Sequence, residues 1–463
     1  MSNPHTYDFL VGTFNTPHLY SLRFTLPPSS STTPTPKSSS SPSLKVLHRS
    51  SAIGSHSWLH LSPPKSNGTR NLYATAWTDP PTVVAYAVHS STQISLLGTA
   101  QTQSRSGYVC ASDVAVYSAG GATGEVFSLD PETGNFACTP PSSTTTTTNG
   151  TPVTPGSTNG QSPIQPLQTL SFIDASTQRD DGSVMDFGGL RHGAHSADLS
   201  PDGLSLYVAD IGRNCIWTFA ISPNDGGKAT LSEKHVSPRP NDGPRHVWPH
   251  PSGGYVYCLQ EHTSMVDVFA TTTTTSGANS GVNPNPNPNL RHEQGVRIIP
   301  PGQHEGDFWA DEVRTSLSSE NGRPKYLYAS TRGLTPQKKG YVAVYKLTEQ
   351  GRIDTSIPSP YASASERLNN GHTEKDVDNG NGNGNGNGSP YNGLLCMYET
   401  ATSGGWANAI QPGPTVDGVE YLALTDSEEG WVFVLGWDGK DMKEVARTKL
   451  DDQGAGAATA VWL

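Results

Sequence analysis

The sequence lacks several features that would place it in a familiar class of protein. Its five cysteines are scattered and form no CxxC pair, which argues against a zinc ribbon or a disulfide framework. It has no run of about 18 apolar residues for a transmembrane helix, and its start, MSNPHTYDFLVGTF, has no secretory signal pattern. A net charge of −11 argues against a nucleic-acid-binding face. We therefore expect a cytoplasmic protein without nucleic-acid or membrane partners.

The chain is also poor in hydrophobic residues, which make up only 33% of its 463 positions. Much of the polarity is concentrated in segments rich in Ser, Thr, Pro, Asn and Gly, near residues 29–43, 141–163, 271–289 and 366–390. Such segments bury too little apolar surface to offset their ordering entropy. We interpret them as disordered low-complexity loop insertions within one folded domain, residues 1–463.

The remaining chain, about 380 residues, reads as short strands separated by turns, without helix-period patterns. It repeats itself: at an offset of 50, Pro201 matches Pro251, Tyr207 matches Tyr257 and Phe219 matches Phe269. An all-β period of 40 to 50 residues is typical of a propeller blade. The length then predicts an all-β, seven-bladed β-propeller, with six or eight blades as alternatives.

Two positions of this repeat should meet at one mouth of the central channel, because the innermost strands of all blades converge there. The first lies six residues before the turn proline and is occupied in different blades by Ser57, His195, Arg245 and Trp406. The second lies four residues after the strand tyrosine and is occupied by Trp77, Ile211, Glu261, Arg332 and Thr425.

Four of these side chains have a joint chemical meaning. The guanidinium groups of Arg245 and Arg332 can each grip a carboxylate with two hydrogen bonds. His195 or Glu261 can transfer a proton if burial tunes its pKa. The set predicts a site for a small multivalent anion, with no requirement for a metal or cofactor.

Other polar residues carry weaker signals. The i,i+4 pair His246 and His250 is flanked by prolines, so it does not indicate a helical metal site. Asp210 is interpreted as a structural residue that hydrogen-bonds between blades. The stretch LTDSEEGW, from Leu424, resembles a calcium loop only loosely and is read as a solvated turn.

Motifs along most of the chain resemble one family. They include FLVGTF (9–14), HSADLSPDGLSLYVADIGRNCIWTF from His195, GPRHVWPHPSGGYVYCLQE from Gly243, YASTRG (328–333) and TSGGWANAI (402–410). In this order they resemble the fungal carboxy-cis,cis-muconate cyclases of the seven-bladed propeller lactonase superfamily.

The resemblance implies an intramolecular lyase that converts 3-carboxy-cis,cis-muconate, a tricarboxylate, to 3-carboxymuconolactone in the β-ketoadipate pathway of aromatic catabolism. It implies a catalytic set of His195, Glu261, Arg245 and Arg332, with substrate binding by Arg245, Arg332 and Trp406 and no metal. Trp406 replaces a polar residue of the family, which bears on substrate preference.

The residues leave several alternatives open. Either His195 or Glu261 is the general acid, and we favour His195 because an imidazolium beside carboxylates can donate a proton near neutral pH. The protein could instead be a lactone hydrolase of the 6-phosphogluconolactonase-like type, or a non-catalytic propeller scaffold. The sequence leaves a homo-oligomer open.

Overall fold

The computed structural model describes residues 4–28, 41–137, 164–172, 193–274, 287–317, 322–362 and 388–463. These residues form seven four-stranded antiparallel sheets and no α-helix, which confirms the prediction of an all-β, seven-bladed propeller. Among them there is no helix with the length and apolar character needed to cross a membrane.

The strands follow one another as short elements of three to eleven residues. The first fourteen are β1 (His5–Thr13), β2 (His18–Leu26), β3 (Ser43–Ser51), β4 (Leu59–Leu61), β5 (Arg70–Ala76), β6 (Thr82–Ser90), β7 (Gln93–Gln101), β8 (Tyr108–Ala111), β9 (Ala115–Ala119), β10 (Thr123–Ser128), β11 (Gln168–Ser171), β12 (Ala194–Leu199), β13 (Ser205–Asp210) and β14 (Cys215–Ser222). The others are β15 (Lys228–Val236), β16 (Pro244–Pro249), β17 (Tyr255–Gln260), β18 (Met265–Thr274), β19 (Asn287–Arg297), β20 (Phe308–Thr315), β21 (Tyr326–Gly333), β22 (Tyr341–Lys346), β23 (Leu394–Glu399), β24 (Ile410–Val416), β25 (Val419–Thr425), β26 (Trp431–Trp437), β27 (Met442–Lys449) and β28 (Ala457–Trp462). Short 3-10 turns occur at Pro223–Asp225 and Glu305–Asp307.

Each blade has its innermost strand at the channel and its fourth strand at the rim. From the inside outward, blade 1 is β28-β1-β2-β3, and blades 2 to 7 take the strands β4 to β27 in groups of four. The C-terminal strand β28 therefore closes the ring by pairing with β1, with Leu10 opposite Val461. Closure ties the first and last parts of the chain together in one blade, and radial repetition leaves only short, protected strand edges.

Neighbouring blades are held together by apolar side chains between their sheets. Between blades 4 and 5, for example, Tyr207 and Ile216 pack with Val247, Val256 and Phe269, all almost fully buried. Burying one such side chain stabilises the fold by about 1.5–3 kcal/mol. Successive side chains of a strand point to opposite faces of its sheet, so each blade packs apolar residues against both of its neighbours. This packing makes the blades a rigid wall around the channel.

The inner strands of blades 4, 5 and 6 are interrupted at the same place. The pairing of β12 with β13 shifts at His195, that of β16 with β17 shifts at Arg245, and that of β20 with β21 shifts at Asp311. A bulge places an extra, unpaired residue on one strand and re-aims its side chain. Three successive blades thereby turn a polar side chain toward one end of the channel.

The four predicted insertions fall between the third and the fourth strand of blades 1, 3, 5 and 6. Parts of two of them belong to strands, because β18 continues to Thr274 and β19 starts at Asn287, and β3 starts at Ser43. Most of the remaining insert residues lie outside the described residues. In an antiparallel blade this connection is at the opposite end from the bulges, so the insertions start and end away from that mouth of the channel.

Candidate active site

A cavity of about 880 Å³ opens where the bulges lie. Its wall combines aromatic rings with charged and imidazole side chains from all seven blades and their connections. The aromatic residues are Phe14, Trp58, Trp77, Trp309 and Trp406, and the charged or imidazole residues are Arg105, His195, Arg245, His246, Glu261, Asp311 and Arg332.

The structure brings the repeat-equivalent residues together as the sequence predicted. Eight of the nine line the cavity: Ser57, Trp77, His195, Ile211, Arg245, Glu261, Arg332 and Trp406. The exception is Thr425, which is buried at the end of β25 and whose hydroxyl donates hydrogen bonds to the carbonyls of Ala409 and Ala458. The repeat reading therefore located the cavity wall, whereas the roles of its residues remain predictions.

Trp406 reaches the cavity by a different route from its supposed counterparts. Pro412, taken as a turn proline, lies inside β24 opposite Leu422, so Trp406 stands in the loop before the strand and not at a bulge. In blade 7 the bulge lies between Pro412 and Thr415, later in the strand than in blades 4 to 6, so counting six residues back from Pro412 does not reach a bulge residue. The indole is 70% exposed while lining the cavity, so it is available to cover a ligand.

Arg245 is fixed by two carboxylates at the centre of the site. Its guanidinium pairs with Glu261, lies 2.8 Å from Asp311 Oδ1 and donates to the Asp311 carbonyl at 3.2 Å. Burial acts to lower the pKa of Arg245, but Asp311 and Glu261 outweigh it and hold the pKa above its usual value. Arg245 and Glu261 thus form an ion pair within blade 5, and Asp311 extends it to blade 6.

Arg332 is equally buried but has no carboxylate at ion-pair distance among the described residues. Nη1 donates to the Gly405 carbonyl at 2.8 Å, the guanidinium carbon lies 4.7 Å from the Trp309 ring centre, and Nε has no hydrogen-bond partner in the described part of the chain. Burial, and then repulsion from Arg245, lowers the pKa of Arg332. Its positive charge is therefore poorly compensated until an anion enters.

His195 is held in its neutral form in the unliganded site. Burial, followed by the charges of Arg245, His246 and Arg332, lowers the pKa of His195 well below its usual value. Its Nδ1 is buried and lacks a hydrogen-bond partner within the described ranges. This environment disfavours the imidazolium that the sequence-based assignment of His195 as general acid requires.

Glu261 is held in its ionised form, whereas a general acid must be protonated. Burial alone would raise its pKa, but Arg245, His262 and Arg332 together hold the pKa below its usual value. The group is therefore a carboxylate at neutral pH. It can orient Arg245 or a substrate, but it has no proton to donate.

The sequence reading missed several residues of this region, of which Asp311 is the clearest. Asp311 occupies the bulge equivalent to His195 and Arg245, yet it lies seventeen residues before its strand tyrosine, Tyr328, and the other two lie twelve before theirs. The longer connection in blade 6 hides the equivalence. Arg105 was missed because it precedes β8 in a blade whose repeat signal is weak.

The weaker candidates have structural explanations. Asp210 accepts hydrogen bonds from Trp217 Nε1 and the Arg213 backbone, within one blade and not between blades. His250 contacts Ser252 in the turn away from the cavity that His246 lines. The described residues contain no group of three or more His, Cys, Asp or Glu side chains arranged to hold a metal ion.

The stretch around Asp426 forms a turn, as predicted, but it is solvated only at Glu428 and Glu429, because Asp426 itself is buried. Asp426 Oδ1 accepts hydrogen bonds from the backbone amides of Glu428 and Glu429 at 2.8 and 2.9 Å, which is the geometry of an Asx-type turn.

The fold and site define a class: a seven-bladed propeller with a cation-rich, aromatic-walled pocket at one end of its channel. A family model described as "Lactonase, 7-bladed beta-propeller" matches residues 31–358. The chain belongs to this lactonase family.

Two curated relatives narrow the class. Muconate cycloisomerase 1 of Cutaneotrichosporon cutaneum is 32% identical over 471 residues, 99% of each chain. Carboxy-cis,cis-muconate cyclase of Neurospora crassa is 26% identical over 277 residues, 58% of this chain and 60% of that protein. The chain is accordingly an isomerase-type, lactone-forming enzyme.

Solved structures support the fold alone. The periplasmic gluconolactonase of Pseudomonas aeruginosa superposes with a TM-score of 0.64 over 99% of both chains, at 14% identity.

Proposed function

We propose that the protein is a cycloisomerase that converts 3-carboxy-cis,cis-muconate to 3-carboxymuconolactone, in the β-ketoadipate pathway of the cytoplasm. The observation that carries the proposal is the charge of the pocket. Three guanidinium groups line it, those of Arg105, Arg245 and Arg332, and within the described part of the chain only Arg245 is paired with carboxylates. Such a pocket suits a small polycarboxylate.

The reaction asks the protein for positioning and charge stabilisation rather than for a nucleophile. One substrate carboxylate oxygen forms a bond to a diene carbon, and the displaced electron pair moves toward the neighbouring carboxylate as an enolate. The adjacent carbon then takes one proton, so the product carries one negative charge fewer than the substrate. Holding the reacting atoms in an attack conformer and stabilising the enolate are the two largest contributions open to the enzyme.

The site residues fit these tasks. Arg332, whose charge is poorly compensated, stabilises the carboxylate on which the enolate forms, and Arg245, fixed by Glu261 and Asp311, positions another carboxylate. The neutral His195 donates a hydrogen bond to the enolate, a role that suits an imidazole whose pKa is lowered. Trp406 covers the bound substrate from the solvent side.

A second candidate substrate is cis,cis-muconate, a dicarboxylate, because the full-length relative is named a muconate cycloisomerase. The distinction between the two substrates is the third carboxylate. Arg105 precedes the inner strand of blade 3, across the ring from Arg332 in blade 6, and its guanidinium lies 5.2 Å from the Trp77 ring centre. The third arginine favours the tricarboxylate.

The direct test is an assay of diene ultraviolet absorbance with each muconate, with lactone hydrolysis of 6-phosphogluconolactone measured in parallel. We expect turnover of both muconates, with kcat/KM about tenfold higher for the tricarboxylate because of one further charge-assisted contact. A chelator should leave the rate unchanged. Lactone hydrolysis without muconate turnover would overturn the proposed function in favour of the hydrolase.

Replacement of Arg105 tests the assignment of the third carboxylate. We expect Arg105→Gln to raise KM for 3-carboxy-cis,cis-muconate about tenfold, with kcat nearly unchanged, because the contact is equal in the ground and transition states. The KM for cis,cis-muconate should change much less. Arg447→Gln is the matched control, since it removes a guanidinium that lies over Trp431, outside the pocket. Equal losses on both substrates would contradict the assignment.

A further inference from the structure

A cluster of buried ionisable groups extends from the pocket wall into the protein interior, and the proposed function leaves it unused. The His195 and His246 ring centres are 5.1 Å apart, and His246 Nδ1 lies 3.0 Å from Glu312 Oε1. The same Glu312 oxygen lies 2.9 Å from Arg314 Nη1. Glu312 immediately follows the bulge residue of β20, and His246 immediately follows that of β16, so the two residues hold equivalent positions on neighbouring inner strands.

The polar atoms of this pair are incompletely satisfied. His246 and Glu312 are 2% and 1% exposed, and His246 Nδ1, His246 Nε2 and Glu312 Oε2 have no hydrogen-bond partner among the described residues, since the 3.0 Å approach of Nδ1 to Glu312 is not aligned as a hydrogen bond. Leaving a buried polar atom unpaired is unfavourable, so such atoms are uncommon unless they have a task. His246 also lines the cavity, which connects the pair to a bound substrate.

We propose that His246 delivers the proton that completes lactone formation and that Glu312 resupplies it. The inference rests on the proposed function, because that reaction consumes one proton per turnover. Neither of the two acids expected from the sequence fits this task in the unliganded site: Glu261 is ionised, and neutral His195 has no carboxyl group at ion-pair distance among the described residues to resupply a proton.

The step balances as follows. As the carbon–oxygen bond of the lactone forms, the enolate carbon takes the proton of His246 Nε2, and the carboxyl proton of Glu312 passes to His246 Nδ1. The imidazole remains neutral and changes tautomer, while Glu312 becomes a carboxylate beside Arg314. After the lactone leaves, His246 Nε2 takes a proton from solvent and Nδ1 returns its proton to Glu312, which restores both groups and accounts for the net uptake of one proton.

The protonation states suit this direction of transfer. Burial raises the pKa of Glu312 to about 7 against the opposing charges of Arg314 and Arg245, so a large fraction is a carboxylic acid at neutral pH. Burial, followed by Arg245 and Arg314, lowers the pKa of His246 well below its usual value, so the ring is neutral. The ionisable or charged groups that face the pair from the neighbouring strands and connections are Tyr108, His195, Asp198, Arg245, Glu261, Asp311 and Arg314.

Asp198 provides a matched control for the environment of Glu312. Burial raises its pKa to about 7 as well, it acts on the same Arg314, and it accepts a hydrogen bond from Tyr108 at 3.0 Å. It is not in ion-pair contact with His246. Asp198→Asn and Glu312→Gln therefore make the same chemical change in the same buried network, but only the second removes the proposed proton source.

The experiment compares pH profiles of kcat in wild type, Glu312→Gln, Asp198→Asn and His246→Gln on 3-carboxy-cis,cis-muconate. We expect wild-type kcat to fall as pH rises through about 7, because the acid form of Glu312 is required. Glu312→Gln and His246→Gln should lose about 100-fold in kcat with little change in KM, and Glu312→Gln should lose this pH limb. Asp198→Asn should keep the wild-type profile.

A spectroscopic arm separates this inference from the proposed function. The infrared carbonyl band of a protonated carboxyl, seen as the difference between wild type and Glu312→Gln, should titrate near pH 7 and shift in His246→Gln. If wild type turns over neither muconate, the proposed function fails, and this band alone decides whether the pair exists as a proton store. A missing band, or a wild-type pH profile in Glu312→Gln, overturns the inference.

Discussion

An Arg332→Gln variant is expected to lose about 10³-fold in kcat/KM while its free energy of unfolding stays the same or increases. Removing one preorganised donor from a developing oxyanion typically costs 10²–10³-fold, and here a full charge is lost with it. The stability expectation has a different cause. Arg332 is 8% exposed and lacks a carboxylate at ion-pair distance in the described residues, so the fold bears the desolvation of its charge without a matching attraction.

The test measures kinetics and thermal unfolding on the same preparations. Arg323→Gln is the control for the loss of one positive charge, because Arg323 is exposed and pairs with Glu349 at the surface. It should leave both activity and stability nearly unchanged. Arg332→Lys should recover only part of the activity, since an ammonium cannot donate two parallel hydrogen bonds to a carboxylate. If Arg332→Gln lowers the thermal unfolding temperature as well as the activity, the role of Arg332 is structural.

Whether a site residue could be predicted from the sequence depends on how regular the repeat is around it. Where blades 4 and 5 keep a fixed offset of 50 residues, the sequence correctly brings His195, Arg245 and Glu261 to one end of the channel. Where a connection changes length, as before Tyr328, the equivalence fails and Asp311 is missed. The sequence offset between two repeats depends on the lengths of their loops as well as on the positions of their strands. A few inserted residues are therefore enough to hide an equivalent bulge residue.

The protonation states of the site residues are harder to predict from the sequence than their positions are. His195 and Glu261 were expected as acid candidates because of their residue types alone. Their actual states depend on burial and on the sum of charges contributed by several blades, which residue types at single positions do not encode. The same holds for Glu312, whose raised pKa follows from burial in a cluster that no repeat position singled out.

An Arg245→Gln variant should be strongly destabilised, in contrast to Arg332→Gln. It leaves Glu261 and Asp311, which are 2% and 1% exposed, without the guanidinium that pairs them. Removing one partner of a buried ion pair typically costs about 3–5 kcal/mol, because the remaining charge stays buried and unpaired. Chemical denaturation should show this loss at pH 7. The double variant Arg245→Gln/Glu261→Gln should recover part of it, whereas additive losses would contradict the pairing.

The pH dependence of stability gives an independent check with a definite sign. In wild type the pKa of Glu261 is held below its unfolded value, so the stability it contributes is present above the unfolded pKa and is lost as pH falls through the folded pKa. The Arg245→Gln variant lacks the charge that lowers the Glu261 pKa most. Burial then dominates, so the Glu261 pKa should rise above its unfolded value. The variant should then gain stability relative to wild type as pH falls from 7 toward 5. If the stability difference between the two proteins is constant over that range, Arg245 does not control the ionisation of Glu261, and the charge assignment at the centre of the site is wrong.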